Sequence, residues 1–288
     1  IEEIYYVYVV DNDYKLKGVF PLQKMITHPS VSKIKHVMET DPVSVKTDTP
    51  VDDLTLDFEK YDLVAMPVVD SIGRLVGQIT VDDVMDEARE QSERDYQLAS
   101  GISSDVDADD SIFAQTKARI PWLLIGIGSG ILASLILGGF ESQLHAVTAL
   151  ALFIPIIGGT GGNVGVQASA IVVQGLATGS LELSQFAKQL GKEFLIGLLN
   201  ASILSGVILI YNLVVMPSQM IVTLSVAVSL FCVVMFATVL GTVIPLTLEK
   251  LKINPALATG PFIQISNDIV GLMIYVAVAT FFLHVIGT

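Results

Sequence analysis

The chain has 288 residues, 52% of them hydrophobic, with a mean hydropathy of +0.65 and a formal charge of -13. Those averages join two unlike halves: residues 1–119 carry 24 acidic and 12 basic side chains, whereas residues 120–288 carry five acids and four lysines. So few ionisable groups cannot solvate a water-facing surface of that size, but a helix bundle solvated by lipid needs no more. A wholly water-soluble protein is thereby excluded. The acidic first half also excludes nucleic acid as a partner, because it would repel phosphate instead of releasing its counterions.

The lone Cys232 rules out a disulfide framework and a cysteine-based metal site. The chain opens on Ile1, Glu2 and Glu3, with neither the basic stretch and apolar core of a signal peptide nor an initiator methionine. The expectation is that residue 1 is not the natural start.

In the polar half, residues 7–26 overlay residues 66–85 at an offset of 59, pairing Val9 with Val68, Asp11 with Asp70, Leu16 with Leu75 and Gly18 with Gly77. Each copy reads as strand, polar turn, strand and helix. An extended run and an amphipathic helix near residues 51–60 precede the second copy only. Asp41-Pro42-Val43, Met66-Pro67-Val68-Val69-Asp70 and Gly77-Gln78-Ile79-Thr80 followed by Asp83 resemble the marks of a CBS domain. In nucleotide-binding members of that family the Thr and the last Asp hold phosphate and ribose. The resemblance therefore implies ATP as a candidate ligand of Thr80 and Asp83, while the first copy departs with Pro21 and Lys24.

Residues 82–110 concentrate eleven acids, among them Asp82, Asp83, Asp86, Glu87, Glu90, Glu93 and Asp95, against Arg89 and Arg94. The part up to Ala99 is compatible with a helix on which Asp86, Glu90 and Glu93 share a face, where like charges repel. A solvated linker and a cation-binding element both fit this pattern.

Five apolar segments follow: 120–140, 144–176, 194–216, 220–248 and 255–286. Each is long enough to cross a bilayer as a helix. Lys117, Arg119, Lys188, Lys192, Lys250 and Lys252 all fall on one side, which the positive-inside rule makes cytoplasmic. The polar half is then cytoplasmic and the C-terminus outside, in a multi-pass protein of the cell (inner) membrane. Gly126, Gly128 and Gly130 in the first segment read as small-residue packing between helices.

The second segment carries five glycines between Pro155 and Gln167, a composition expected to weaken the helix in mid-span, with the freed backbone lining a cavity or buried in protein. Asn163 and Gln167 share a face there and offer amide oxygens. The fifth segment holds Asp268, read as the only acid inside a span, with no Lys, Arg or His at its depth. An intramembrane carboxylate costs on the order of 2.5–3.5 kcal/mol, so a mobile cation or a proton must balance it.

The CBS modules, the run Ala118-Arg119-Ile120-Pro121-Trp122-Leu123, the 155–167 motif and the run Asn254-Pro255-Ala256-Leu257-Ala258-Thr259-Gly260-Pro261 followed by Asp268 together resemble the MgtE magnesium channels of bacteria. The resemblance implies an α-helical polytopic membrane protein with five transmembrane helices and an N-terminal cytoplasmic α/β CBS region. It implies a homodimer in the lipid bilayer with a pore on its twofold axis, closed by an acidic plug helix when internal Mg2+ is high. Mg2+ is then both the transported and the regulatory ion, and an N-terminal domain is expected to be missing.

Pore metal-binding candidates are Asp268, Asn163, Gly162, Gln167 and Gln264. Cytoplasmic metal-sensing candidates are Asp82, Asp83, Asp86, Glu87, Glu90, Glu93 and Asp95. Asn254 stands at the inner mouth where the family usually has Asp. The domain limits read as 1–38 for part of a first CBS module, 39–88 for a second, 89–118 for the connecting helix and 119–288 for the pore. Mn2+, Co2+ and Ca2+ stay open as cargo. A proton-coupled exporter or antiporter using Asp268 as proton carrier is the alternative, and no enzyme activity is expected.

Overall fold

The sequence repeat is a repeat of hairpins, down to the register. In the computed structural model, which describes residues 4–29, 31–140, 148–215 and 220–286, β1 (Tyr6–Val10) pairs with β2 (Leu16–Pro21) and β5 (Ala65–Val69) with β6 (Leu75–Thr80). Both ladders are antiparallel and both slip after Val9 or Val68, so that Val9 faces Gly18 and Val68 faces Gly77 before Val10 meets Leu16 and Val69 meets Leu75. The repeated aspartate explains the identical turns. Asp11 Oδ1 accepts from the backbone N–H groups of Asp13 and Lys15, both at 2.9 Å, and Asp70 Oδ1 accepts from those of Ile72 and Arg74 at 3.0 and 2.8 Å. Such bonds replace a backbone turn. These N–H groups, that of Lys15 foremost, hold the Asp11 carboxyl below the usual range.

The two turns then bond each other. Leu16 N donates to Gly73 O at 3.1 Å and Leu75 N to Tyr14 O at 2.9 Å. With β3 (Glu39–Thr40) beside β2 and β4 (Val45–Lys46) beside β5, two three-stranded sheets result. A one-turn helix, α1 (Lys24–Thr27), follows β2, and α2 (Val51–Tyr61) precedes β5. Leu54 and Phe58 of α2 pack with Val45, Met66 and Val84 into the core of this unit, Ile1–Glu93.

The chain's second unit, Arg94–Thr288, begins inside α3 (Val81–Ala99), so both expected CBS limits lie within the first unit. The connecting helix expected at 89–118 is not one helix. α3 ends at Ala99, residues 100–111 are turns and loops, and α4 (Ile112–Gly139) starts anew with Ser111 Oγ accepting from Ala114 N at 3.2 Å. Gly101, at φ +79°, provides the left-handed break after α3.

Four more long helices follow: α5 (Ile154–Ala177), α6 (Phe186–Val215), α7 (Met220–Lys250) and α8 (Pro261–Ile286). With α4 they are the five described helices long and apolar enough to cross a membrane. α7 is central, burying Val222, Val226, Leu230, Val233, Val234 and Ala237 against α5, α6 and α8. α4 instead leaves Leu123, Leu124, Ile127, Ile131 and Leu135 exposed, a surface suited to lipid.

Three expectations are corrected here. The glycine-rich stretch of α5 does not interrupt the helix, which runs unbroken from Ile154 to Ala177; the irregular backbone lies just before it, in a 3-10 turn over Thr148–Phe153. The fifth span starts at Pro261, after a separate 3-10 turn at Pro255–Ala258 and a left-handed Gly260 at φ +49°. Asp268 is not the only acid in a long apolar helix, because α6 begins eight residues earlier than expected and Glu193 lies within it, 3% exposed and bonded by Gln189 Nε2 at 3.2 Å.

Candidate functional site

α5 and α8 pack antiparallel, and the glycines of α5 are where the polar side chains of α8 fit. A Cβ added at Gly158 would lie 3.5 Å from Asp268 Oδ1. At Gly162 the space is filled by the Gln264 side chain, whose Cδ and Oε1 would stand 2.6 and 2.7 Å from an added Cβ. At Gly165 it is filled by the Asn267 amide and by Ile263 Cγ2 at 2.7 Å. Alongside, Val233 Cγ1 of α7 reaches to 2.6 Å of a Cβ at Gly161, and Gly241 of α7 abuts the Gly165 carbonyl. These glycines therefore permit close approach of three helices, as small residues do between helices in lipid.

This packing orders the predicted pore residues. Asp268 is half-buried, and Gln264, one turn earlier on α8, hydrogen-bonds its side chain. Gln264, Asn163 and Gln167 line one cavity of about 1020 Å³, whose wall also includes Val166, Ile265, Arg119, Trp122 and Gly101. Gly162 lies beneath Gln264 instead of offering itself to the cavity. Asn163 and Gln167 are exposed on α5, on the side away from the glycine notches. No group of three His, Cys, Asp or Glu side chains converges among the described residues, so a cation held by one chain here would rest on a single carboxylate and amides. Such a donor set suits a cation that keeps most of its own water.

Asn267 is missing from the sequence reading. It is wholly buried, and among the described residues neither its Nδ2 nor its Oδ1 has a hydrogen-bond partner. Leaving buried polar groups unmet costs about 1–3 kcal/mol each. No pattern in the sequence distinguishes this amide from its neighbours; only the fit into the Gly165 notch does.

The acidic residues of α3 fall into two sets. Asp83, in the first turn of α3, reaches back to Thr80, whose backbone N–H and hydroxyl both donate to Asp83 Oδ2, at 3.3 and 2.5 Å. These bonds, which form the acidic half of a capping box, give Thr80 and Asp83 a structural role of their own. Asp82, Asp83, Asp86, Glu87, Glu90 and Glu93 are exposed, with Arg89 paired to Asp86 at 3.6 Å. Asp95 differs, being half-buried and accepting at 2.8 Å from Asn254 Nδ2, 159 residues away in sequence. Asn254 Oδ1 in turn accepts from Ala256 N at 2.8 Å and caps the 3-10 turn before α8. Gly260 abuts the Ala99 carbonyl with no room for a side chain, and a Cβ at Gly101 would be 2.6 Å from Pro261 Cγ. The end of α3 is thus fastened to the turn that leads into the helix of Asp268.

Residues 154–278 match the MgtE family model, described as a divalent cation transporter, and residues 34–90 match the CBS domain model. The magnesium transporter MgtE of Thermus thermophilus is 37% identical over 99% of this chain and 63% of its own length. That of Bacillus subtilis is 32% identical over 98% of this chain and 62% of its own length. The chain thus spans a little under two thirds of these curated relatives. The crystal structure of the cytosolic domain of the Mg2+ channel MgtE in complex with ATP is 43% identical, covering 30% of this chain and 35% of that one with a TM-score of 0.29.

Proposed function

For a polytopic membrane chain that carries an MgtE-family domain and a CBS domain, we propose the passage of divalent cations, Mg2+ foremost, along the face formed by α5 and α8. The observation that carries this reading is Asp268: a half-buried carboxylate in a long apolar helix, bonded to Gln264, with the amides of Asn163 and Gln167 beyond it on one cavity. A fixed negative charge in lipid needs a mobile positive one, and amides hydrogen-bond the waters of an ion that dehydrates reluctantly. A second copy of the chain, related by a twofold axis, would bring a second Asp268 to the path and cover polar amides that lipid does not solvate.

Regulation belongs to the same reading. The sheet unit lies in the cytoplasm, and Mg2+ between the exposed carboxylates of α3 and those of a second copy relieves their repulsion and favours a compact state. The Asp95–Asn254 hydrogen bond passes that change to the start of α8, so the state with the bond made is the closed one. An ion shifts such an equilibrium only through its differential affinity for the two states. Adenosine nucleotide at Thr80 and Asp83 is a further part of this proposal, and it requires that the hydrogen bonds from Thr80 to Asp83 open.

Mg2+ flux into proteoliposomes tests the proposal. Wild type should conduct Mg2+ without a pH gradient, and Asp268→Asn, which keeps the volume and removes the charge, should assemble yet lose divalent conduction. Wild-type flux in that variant would remove Asp268 from the path, and flux that requires a pH gradient would favour proton coupling.

A further inference from the structure

Stability does not explain the asparagine at position 267. Leucine has as many side-chain heavy atoms and no polar group to desolvate, so an apolar residue would be favoured in a fully buried site whose amide finds no partner among the described residues. A retained unsatisfied group calls for another reason.

Its position supplies one. Asn267 precedes Asp268 on α8, and its amide occupies the place where a side chain at Gly165 would begin, an added Cβ there lying 3.3 Å from Asn267 Cγ. On the adjoining strip of the same face of α5, Gly241 of α7 meets the Gly165 carbonyl, and its added Cβ would stand 3.1 Å from the carbonyl carbon. α5 is thus held at Gly165 by two contacts that cannot shorten, two residues along the chain from both Asn163 and Gln167. A planar amide lies flatter against a glycine than a branched aliphatic group does, so it lets α8 approach closely while still filling the notch.

We propose that Asn267 is a positioning residue of the permeation path, seated in the Gly165 notch to set the spacing and register of α5 against α8, and thereby the separation of the Asp268 carboxylate from the Asn163 amide. The inference rests on the transport reading above. Mg2+ demands near-ideal octahedral geometry, whereas Ca2+ accepts six to eight oxygens in flexible arrangements. A change in that separation therefore penalises Mg2+ more than Ca2+.

The test uses the full chain in liposomes with Asn267→Leu and Asn267→Ala, measuring Mg2+ and Ca2+ influx alongside thermal unfolding of the solubilised protein. The leucine variant's Mg2+-to-Ca2+ flux ratio should fall at least about fivefold, equivalent to roughly 1 kcal/mol, whether or not its bulkier side chain also lowers the melting temperature. The alanine variant, which leaves the notch empty, should lower both the ratio and the melting temperature. A residue that only packs would change the melting temperature and leave the ratio alone, so wild-type ratios in both variants overturn the inference. If the leucine variant does not assemble, the alanine ratio decides. A wild type without flux overturns the transport reading and this inference with it, whereas wild-type flux with unaltered ratios overturns the inference alone.

Discussion

Two helices of this protein carry glycines at similar density and use them in opposite ways. In α4, which packs on α8, an added Cβ at Gly126, Gly128 or Gly130 meets nothing within 4 Å, so among the described residues no neighbour packs on those three glycines. In α5, Gly161, Gly162 and Gly165 have no room at all, and side chains from α7 and α8 fill the space a Cβ would take. Glycine spacing alone says only that close approach is allowed. What approaches, and whether anything does, depends on the surfaces that the rest of the chain brings alongside.

Substitutions at the two sets should separate them. The largest effect is expected for Gly241→Leu, which drives a side chain into the Gly165 carbonyl, a backbone atom that cannot turn aside. Overpacking of that kind should cost about 3 kcal/mol and block assembly, as seen by size-exclusion chromatography. Gly162→Ala collides with the Gln264 side chain and should cost about 1–3 kcal/mol, lowering Mg2+ flux by withdrawing the partner of Asp268. Gly128→Ala and Gly130→Ala in α4 should instead leave the stability unchanged or raise it, by up to about 1 kcal/mol each from helix propensity. A marked loss of stability in the α4 variants would show that these glycines meet a packed neighbour after all, such as a second copy of the chain.

The contrast between the two ends of α3 supplies a smaller effect. Asp95→Ala or Asn254→Ala breaks the hydrogen bond between that helix and the turn before α8, worth about 1 kcal/mol for a half-buried pair. The Mg2+ concentration that protects residues 100–111 from proteolysis should then rise about fivefold. Removing the exposed Asp86 and Glu90 one at a time should shift it less. An unchanged protection curve in the Asp95 and Asn254 variants would exclude this contact from gating.

The smallest effect belongs to the sheet unit. Asp11 has its folded-state pKa depressed by the N–H groups of Lys15 and Asp13, so its contribution is present above the unfolded value near 4 and lost as pH falls through the folded one. Asp11→Asn keeps the acceptor oxygen and should flatten the acid limb of the unfolding profile below about pH 4, with neutral stability nearly unchanged. An acid limb identical to wild type would show that other carboxylates dominate it.

The sheet unit was the most legible part of the chain. Its repeat is local: a strand, a turn held by its own aspartate and a second strand are specified by residues within about 15 positions, so the offset between Asp11 and Asp70 foretold two hairpins of one register. The five spans were legible for a similar reason, since lipid reads the average hydropathy of a helix and little else. Span ends were less so. Residues 186–193 of α6 are polar enough to look like a loop, yet the backbone continues as helix and buries Glu193.

Composition and charge thus determined a lipid-solvated bundle preceded in the chain by an acidic α/β unit, and a carboxylate at Asp268 that either a cation or a proton must balance. Only the tertiary structure decided that the α5 glycines are notches in an unbroken helix, that Asn267 fills one of them with no hydrogen-bond partner among the described residues, and that Asp95 reaches Asn254 across 159 residues. Each of these turns on which surfaces meet at distances of a few ångströms. A periodic pattern records which face of a helix is small or polar, but the depth and rotation at which two helices meet are set by the interlocking of all their side chains at once.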